Sequence, residues 1–307
     1  MSWLEALTRH GFVALALASL LASGCSIRKL AIKGLADALA SAGDVYASDS
    51  DPELVEQALP FSLKTIEALL AESPGNGSLL LSACSGFTQY SYAFVLARAE
   101  RLEFDDYRES ERQRDRALAL FLRARDYCLR GLEAGHPGIT ERLRLEPETA
   151  AEELAASEVD LTYWTGASWG AAMSAGSHRL DIVADLPAVQ ALLRRVLALD
   201  ERYGDGAVQE AMISLESLPE AMGGSPERAR SFFGRAVELS GGDSASPYVS
   251  LASGVVISEQ NRAEFIELLE KALAVDVDKV PERRLANVLA QRRAKLLLER
   301  IDEYFIE

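Results

Sequence analysis

The sequence predicts an all-α protein of stacked antiparallel helical hairpins with a central pore or cleft, and three observations carry that reading. Ala and Leu dominate a chain of 307 residues that is 49% hydrophobic and 26% charged, and β-branched runs are scarce. Such a composition favours helix over sheet. Gly and Pro fall mostly in short clusters between long stretches of apolar periodicity, as turns between helices do. Helix ends also share a cadence: the stretches Ile66–Pro74, Leu129–Pro137, Leu193–Asp200, Phe233–Ser240 and Leu269–Asp276 can be laid over one another, each running from apolar helix into a turn.

The starts of these stretches, at 66, 129, 193, 233 and 269, are separated by 63, 64, 40 and 36 residues. The last two steps lie near the tetratricopeptide period of about 34 residues and the first two near twice that. The fold expected is therefore a degenerate tetratricopeptide-like array, curved so that its inner helices line a groove or pore.

At the amino end, Arg9 and the terminal amine stand against Glu5 and precede an uncharged run from Gly11 to Gly24. A run of that length is too short to span a bilayer, which needs about 20 apolar residues. It fits the apolar region of a secretory signal. The stretch Leu21–Ala22–Ser23–Gly24–Cys25 resembles the bacterial lipoprotein signal, with Ala22 where Leu is usual. That resemblance implies cleavage after Gly24, diacylglycerol on the Cys25 thiol and acylation of the new amino terminus. Several acyl chains anchor stably where one does not. The chain then divides into a cleaved signal over 1–24, a lipidated tether over 25–34 and one helical domain over 35–307. Ser26 stands where Asp directs many such proteins to stay in the inner membrane. It points to a periplasmic protein on the inner leaflet of the outer membrane.

Arg28, Lys29 and Lys33 make the tether basic. A helix is expected over Leu35–Ala47, and Asp51–Pro52 caps and opens the next, Glu53–Glu72, in which Pro60 should kink or split the run. After the turn Ser73–Gly77, Ser78–Phe104 reads as one helix with Phe87, Tyr90 and Phe94 on a stripe; Tyr46 and Tyr92 face elsewhere. Arg108–Gly131 is charged in its first half, with opposite charges three and four places apart on a wet face. It ends at Gly135–Gly138. Glu146–Glu158 holds a short helix and a linker. Further hairpins follow over 188–203 and 207–218, then 227–239, 248–257 and 263–275. Pro281 opens a last helix over Glu282–Phe305, patterned as a capping helix with one wet face.

The stretch Asp160–Gly176 stands apart. It joins two of the chain's three Trp and a Tyr to small residues, with no charge after Asp160. It reads either as the innermost helix and one wall of an apolar cavity, or as a tightly packed core helix without one. Tyr163, Trp164 and Ser168 are the cavity candidates here, beside Phe87, Tyr90 and Phe94 on the earlier helix. Trp169 points away from Trp164 and packs between hairpins or meets a partner.

Little in the chain points to catalysis. His136 and His178 sit at helix ends, no His/Cys set has metal spacing, and no Gly-rich loop or nucleophile elbow is present. No enzyme activity and no cofactor are expected. A formal charge of −15 argues against a nucleic-acid partner, which needs a basic surface. Cys84 and Cys128 fall in an oxidising compartment, where a disulfide is open to them, but the apolar helical pattern around each favours buried free thiols.

The lipoprotein signal, the early hairpin leading into Ser91–Tyr92–Ala93–Phe94–Val95 and the segment Leu161–Thr162–Tyr163–Trp164–Thr165–Gly166–Ala167–Ser168–Trp169–Gly170 together resemble the TRAP-transporter-associated T component (TatT) family. The resemblance covers the chain from Cys25 onward. It implies a periplasmic lipoprotein, commonly a homotrimer, with a pore or cleft in each protomer. It also implies association with the substrate-binding P component of a tripartite ATP-independent periplasmic transporter, and a small apolar or amphipathic ligand such as an organic acid. A scaffold lipoprotein for envelope assembly, without a ligand, is the alternative function.

Overall fold

What shapes this molecule is how each helix finds the next. The structure is a computed structural model that describes residues 43–306 together with Gly34. The expected signal peptide, Cys25, the rest of the expected tether up to Lys33 and the first part of the helix expected over Leu35–Ala47 lie outside the described residues. Among the described residues every regular element is helical.

The chain runs α1 (Gly43–Ala47), α2 (Pro52–Glu72), α3 (Gly77–Tyr90), a π-helical turn (Ser91–Leu96), α4 (Ala97–Leu102) and α5 (Tyr107–Gly135). Then come α6 (Ile139–Leu145), α7 (Pro147–Glu152), α8 (Val159–Ala175), α9 (Leu180–Val183), α10 (Leu186–Leu199), α11 (Ala207–Glu216) and α12 (Pro226–Leu239). The last part holds α13 (Ser246–Leu251), a second π-helical turn (Ala252–Val256), α14 (Arg262–Ala274), α15 (Arg284–Glu299) and α16 (Ile301–Tyr304).

Local chemistry sets most of these boundaries. The Asp51 carboxylate accepts from the Leu54 amide at 3.0 Å, with Pro52 in the first turn, where its missing N–H costs nothing. Asn76, Asp106, Ser225 and Asn261 cap α3, α5, α12 and α14 in the same way. Pro60 does not split α2, which runs through it as a single helix. The helix expected over Ser78–Phe104 runs without a break from Gly77 to Leu102, widened between Ser91 and Leu96 into a π turn, where the Ser91 hydroxyl donates to the Phe87 carbonyl at 2.6 Å.

Successive helices pack on one another along the chain: α2 on α3, α3 on α5, α5 on α8, α8 on α10, and so through α11, α12, α13 and α14 to α15. Their apolar faces form two buried clusters, one around α2, α3, α5, α8 and α10, the other around α13, α14 and α15, with Phe232 of α12 touching both. The central helix α8 is clamped in the first. A Cβ added to Gly166 would meet Leu193 of α10 at 3.0 Å, so the absence of a side chain there is what lets the two backbones come this close. Trp169 is fully buried, its ring flanked by the guanidinium groups of Arg125 at 5.3 Å and Arg144 at 5.7 Å. It packs between hairpins and leaves no surface for a partner.

One expectation is corrected here. Cys84 of α3 and Cys128 of α5 are not free thiols; they form a disulfide across this hairpin, with Cα atoms 5.4 Å apart. Apolar surroundings describe a buried half-cystine as well as a buried thiol, so the pattern could not separate them.

The last long helix, although Arg292, Lys295 and Glu299 keep one face exposed, does more than cap the array. α15 folds back against α1 and α2, joining the end of the array to its beginning. Arg292 pairs with Glu53 of α2, the Arg284 guanidinium donates to the Ser48 carbonyl at 2.8 Å, and Arg293 pairs with Glu100 of α4. Arg300 pairs with Asp105, and Tyr304 meets Phe104 edge to face with ring centres 5.7 Å apart. Some of the charged residues that read as a solvated face, Arg284, Arg292 and Arg293, make the seam.

Candidate functional site

Joining the two ends encloses space. A cavity of about 530 Å³ lies between α2, α3 with its π turn, α13 and α15, with α1 at its edge. Its apolar wall is made by residues such as Leu63, Ile66, Phe94, Leu285, Leu289 and Leu296. Each comes from the face its helix turns inward, and the widened turn at Ser91–Leu96 lets both Tyr92 and Phe94 reach the space. π turns of this kind recur at functional sites.

Polar residues line it from several helices, and one cluster of them centres on Arg293. Arg293 Nη1 donates to the Tyr92 hydroxyl at 3.2 Å, and its Nη2 donates to Glu100 Oε1 at 3.1 Å. Arg293 Nε stands 3.0 Å from Glu100 Oε2, close enough for ion pairing but off-axis for a hydrogen bond. Ser246 and Ser250 of α13 also line the cavity, and they hold Glu210 of α11, which is not one of the lining residues. Ser246 Oγ lies 2.8 Å from both carboxylate oxygens, and Ser250 Oγ donates to Oε1 at 3.1 Å. Asn287 of α15 fixes α13 in place: its Oδ1 accepts from the Ala245 amide and its Nδ2 donates to the Asp243 carbonyl, both at 2.9 Å.

These groups sense one another. Burial pushes the Glu210 carboxyl up from the usual carboxylate range, against the opposing pull of the two serine hydroxyls and the Arg293 charge. The Arg293 charge favours the ionised Tyr92 phenol, but desolvation and the negative charges of Glu100 and Glu210 outweigh it and hold Tyr92 above its ordinary value. Tyr163 of α8 is raised as well, by burial first and then by Glu210 and Tyr92. Tyr163 is not one of the residues that line the cavity, whereas Tyr92 is and stays 50% exposed.

Of the aromatic candidates, Phe94 lines the cavity. Phe87 lies in the core, stacked on Tyr127 with centroids 6.1 Å apart. Tyr90 is buried beside Phe94, its ring 6.0 Å from the Arg116 guanidinium. Tyr163 sits between Trp164, at 5.1 Å and edge to face, and Tyr203, at 4.7 Å, whose hydroxyl donates to Asp160 at 2.9 Å. Ser168 is fully buried and donates to the Thr165 carbonyl within its own helix. Tyr46 and Tyr92, expected to face elsewhere, face the cavity.

Residues that the sequence reading passed over bring polar groups to the cavity: Arg293, Glu100, Ser246 and Ser250, the two serines being bonded in turn to Glu210. One signal was available for Glu210, since it is the sole charge in the first half of its helix. Arg293 had none, because it is one of two adjacent arginines in a basic run. Among the described residues no group of His, Cys, Asp and Glu is placed to hold a metal ion, and no helix is long and apolar enough to cross a membrane.

Comparison with known proteins follows from this geometry. A family described as TRAP transporter T-component matches residues 48–305, which takes in nearly all of the helices above. An uncharacterized protein of Treponema pallidum (strain Nichols) is 29% identical over 307 aligned residues, covering 94% of this chain and 95% of that protein.

Proposed function

The chain belongs to the TRAP transporter T-component family, and from that premise we propose that it is a periplasmic accessory lipoprotein that docks the substrate-binding P component and shelters a small amphipathic ligand. The cavity carries this reading. Its volume falls in the range of about 300–1,000 Å³ typical of small-molecule sites, and it pairs apolar walls with a few convergent polar groups.

Lipid on Cys25 would hold the molecule to the membrane, with the outer membrane's inner leaflet favoured by Ser26. Leu54 and Phe61, two turns apart on α2, present apolar surface outward, 56% and 78% exposed. Area of that kind suits contact with the P component or with further copies in a homotrimer. Of the earlier aromatic candidates, Phe94 is assigned to ligand contact and Tyr163 to its border, while Phe87, Tyr90, Trp164 and Ser168 support the wall from behind.

The test is co-purification of a TRAP substrate-binding protein with the full chain, and with Phe61→Glu, together with native mass spectrometry for retained ligand. The expected result is association with the wild type, weakened by the substitution, and a bound small molecule. A chain that retains no ligand and captures no binding protein would leave the envelope-scaffold alternative.

A further inference from the structure

Most of the charge that lines the cavity is closed within the protein. Glu53 pairs with Arg292, Glu56 with Arg98 and Glu100 with Arg293. Two lining residues are left over, Arg101 and Glu282, opposite in sign, and neither has an ion pair among the described residues. Both are exposed, so each can meet a ligand without giving up a partner.

The two stand at opposite ends of the space. Glu282 comes just before α15 begins, where Gly43 and Ala47 of α1 also line the cavity. Arg101 lies in the last turn of α4, and its carbonyl accepts from Arg300, beyond the other end of α15. The helix between them has 16 residues, about 24 Å of length.

Polar groups with bonds to spare lie between these charges. Gln89 and Tyr92 line the cavity from α3 and its π turn, on the helical run that ends beside Arg101, about 18 and 14 Å back along it. Gln89 makes no side-chain hydrogen bond among the described residues, and Tyr92 accepts from Arg293 while keeping its own proton to donate. An alkyl chain laid here would cover both without replacing their bonds to water, at a cost in free energy. A chain of amides would replace them.

We propose that the cavity binds a short extended peptide, its free amino terminus at Glu282 and its terminal carboxylate at Arg101. Main-chain amides meet Gln89 and Tyr92, and alternate side chains pack on Leu63, Ile66 and Leu289. With both charged side chains reaching inward, the gap takes about five residues at about 3.3 Å each. This rests on the reading of the cavity as a ligand site and narrows the amphipathic ligand to a class.

Titration calorimetry of the full chain at neutral pH tests it, with the pentapeptide leucyl-seryl-leucyl-seryl-leucine, its N-acetyl and C-terminal amide forms, ω-aminododecanoate and octanol. The free peptide should bind tightest. Acetylation and amidation should each weaken it about fivefold, the scale of one charge contact at an exposed rim. Glu282→Gln should erase the effect of acetylation alone, and Arg101→Gln that of amidation alone. The aminododecanoate, with both charges but no amides, should bind more weakly than the peptide. Capping without effect, an effect that survives its own variant, or an alkyl zwitterion as tight as the peptide would overturn the proposal and leave the ligand cavity standing. So would binding of octanol with no binding of peptide. If nothing binds, the cavity reading fails as well. Both substitutions replace exposed side chains that have no ion pair, and circular dichroism confirms that the variants are folded.

Discussion

Arg293 pairs with Glu100 across 193 residues of sequence, and this contact fastens the last long helix to the first part of the array. The pair is only a quarter exposed, at 26% for the arginine side chain and 24% for the glutamate. Removing one partner strands the other in a largely desolvated place. Arg293→Met is expected to cost about 3 kcal/mol, and the double substitution Arg293→Met with Glu100→Met should recover most of it. Urea unfolding of the three variants checks this. A double variant no better than the single one would mean that the pair does not act as a unit.

The Cys84–Cys128 bridge closes a loop of 44 residues between α3 and α5. In the chain-entropy account a loop of that size stabilises by about 4 kcal/mol, by restricting the unfolded chain. Replacing both cysteines with Ala should lower the denaturant midpoint accordingly, and reductant should lower the wild type to a similar value while leaving the variant unmoved. Because both sulfurs are fully buried, reduction should need unfolding and proceed slowly in native buffer.

Glu210 gives the pH dependence. Burial raises its carboxyl pKa in the folded state above the ordinary 4.5. The folded protein therefore binds more protons than the unfolded one between that value and the raised one, and stability falls as pH increases through that window. Below the window both states hold the proton and the effect vanishes. Glu210→Gln removes the titration, so the variant should melt higher than the wild type at neutral pH, with the two converging in acid. A constant difference at every pH would assign the effect to packing instead.

Helical content, the turns and the order of hairpins were legible because each rests on local signals: caps such as Asp51 and Asn76, Pro–Gly punctuation, and apolar periodicity within a single helix. The central helix was legible as a close-packed element through Gly166 and its small neighbours. The widening at Ser91–Leu96 was not, since the same residues suit an ordinary α-helix and the change comes from tertiary fit. Nor was the cavity's location. It depends on Glu53 meeting Arg292 and Glu100 meeting Arg293, and nothing local marks one arginine of a charged helix as solvated and its neighbour as interior. The disulfide escaped for a similar reason, because two apolar helical positions give no hint of facing one another.

The return of α15 to α2 has a kinetic consequence. Contacts between neighbouring hairpins close short loops and form early, whereas the seam joins residues up to 239 positions apart and must pay for the longest loop last. The cavity is therefore the final thing folding creates. In a chain that emerges amino end first, Leu63, Ile66 and Phe94 stay uncovered until the carboxyl-terminal helix arrives, so the interval before that arrival is when this protein is most exposed to aggregation.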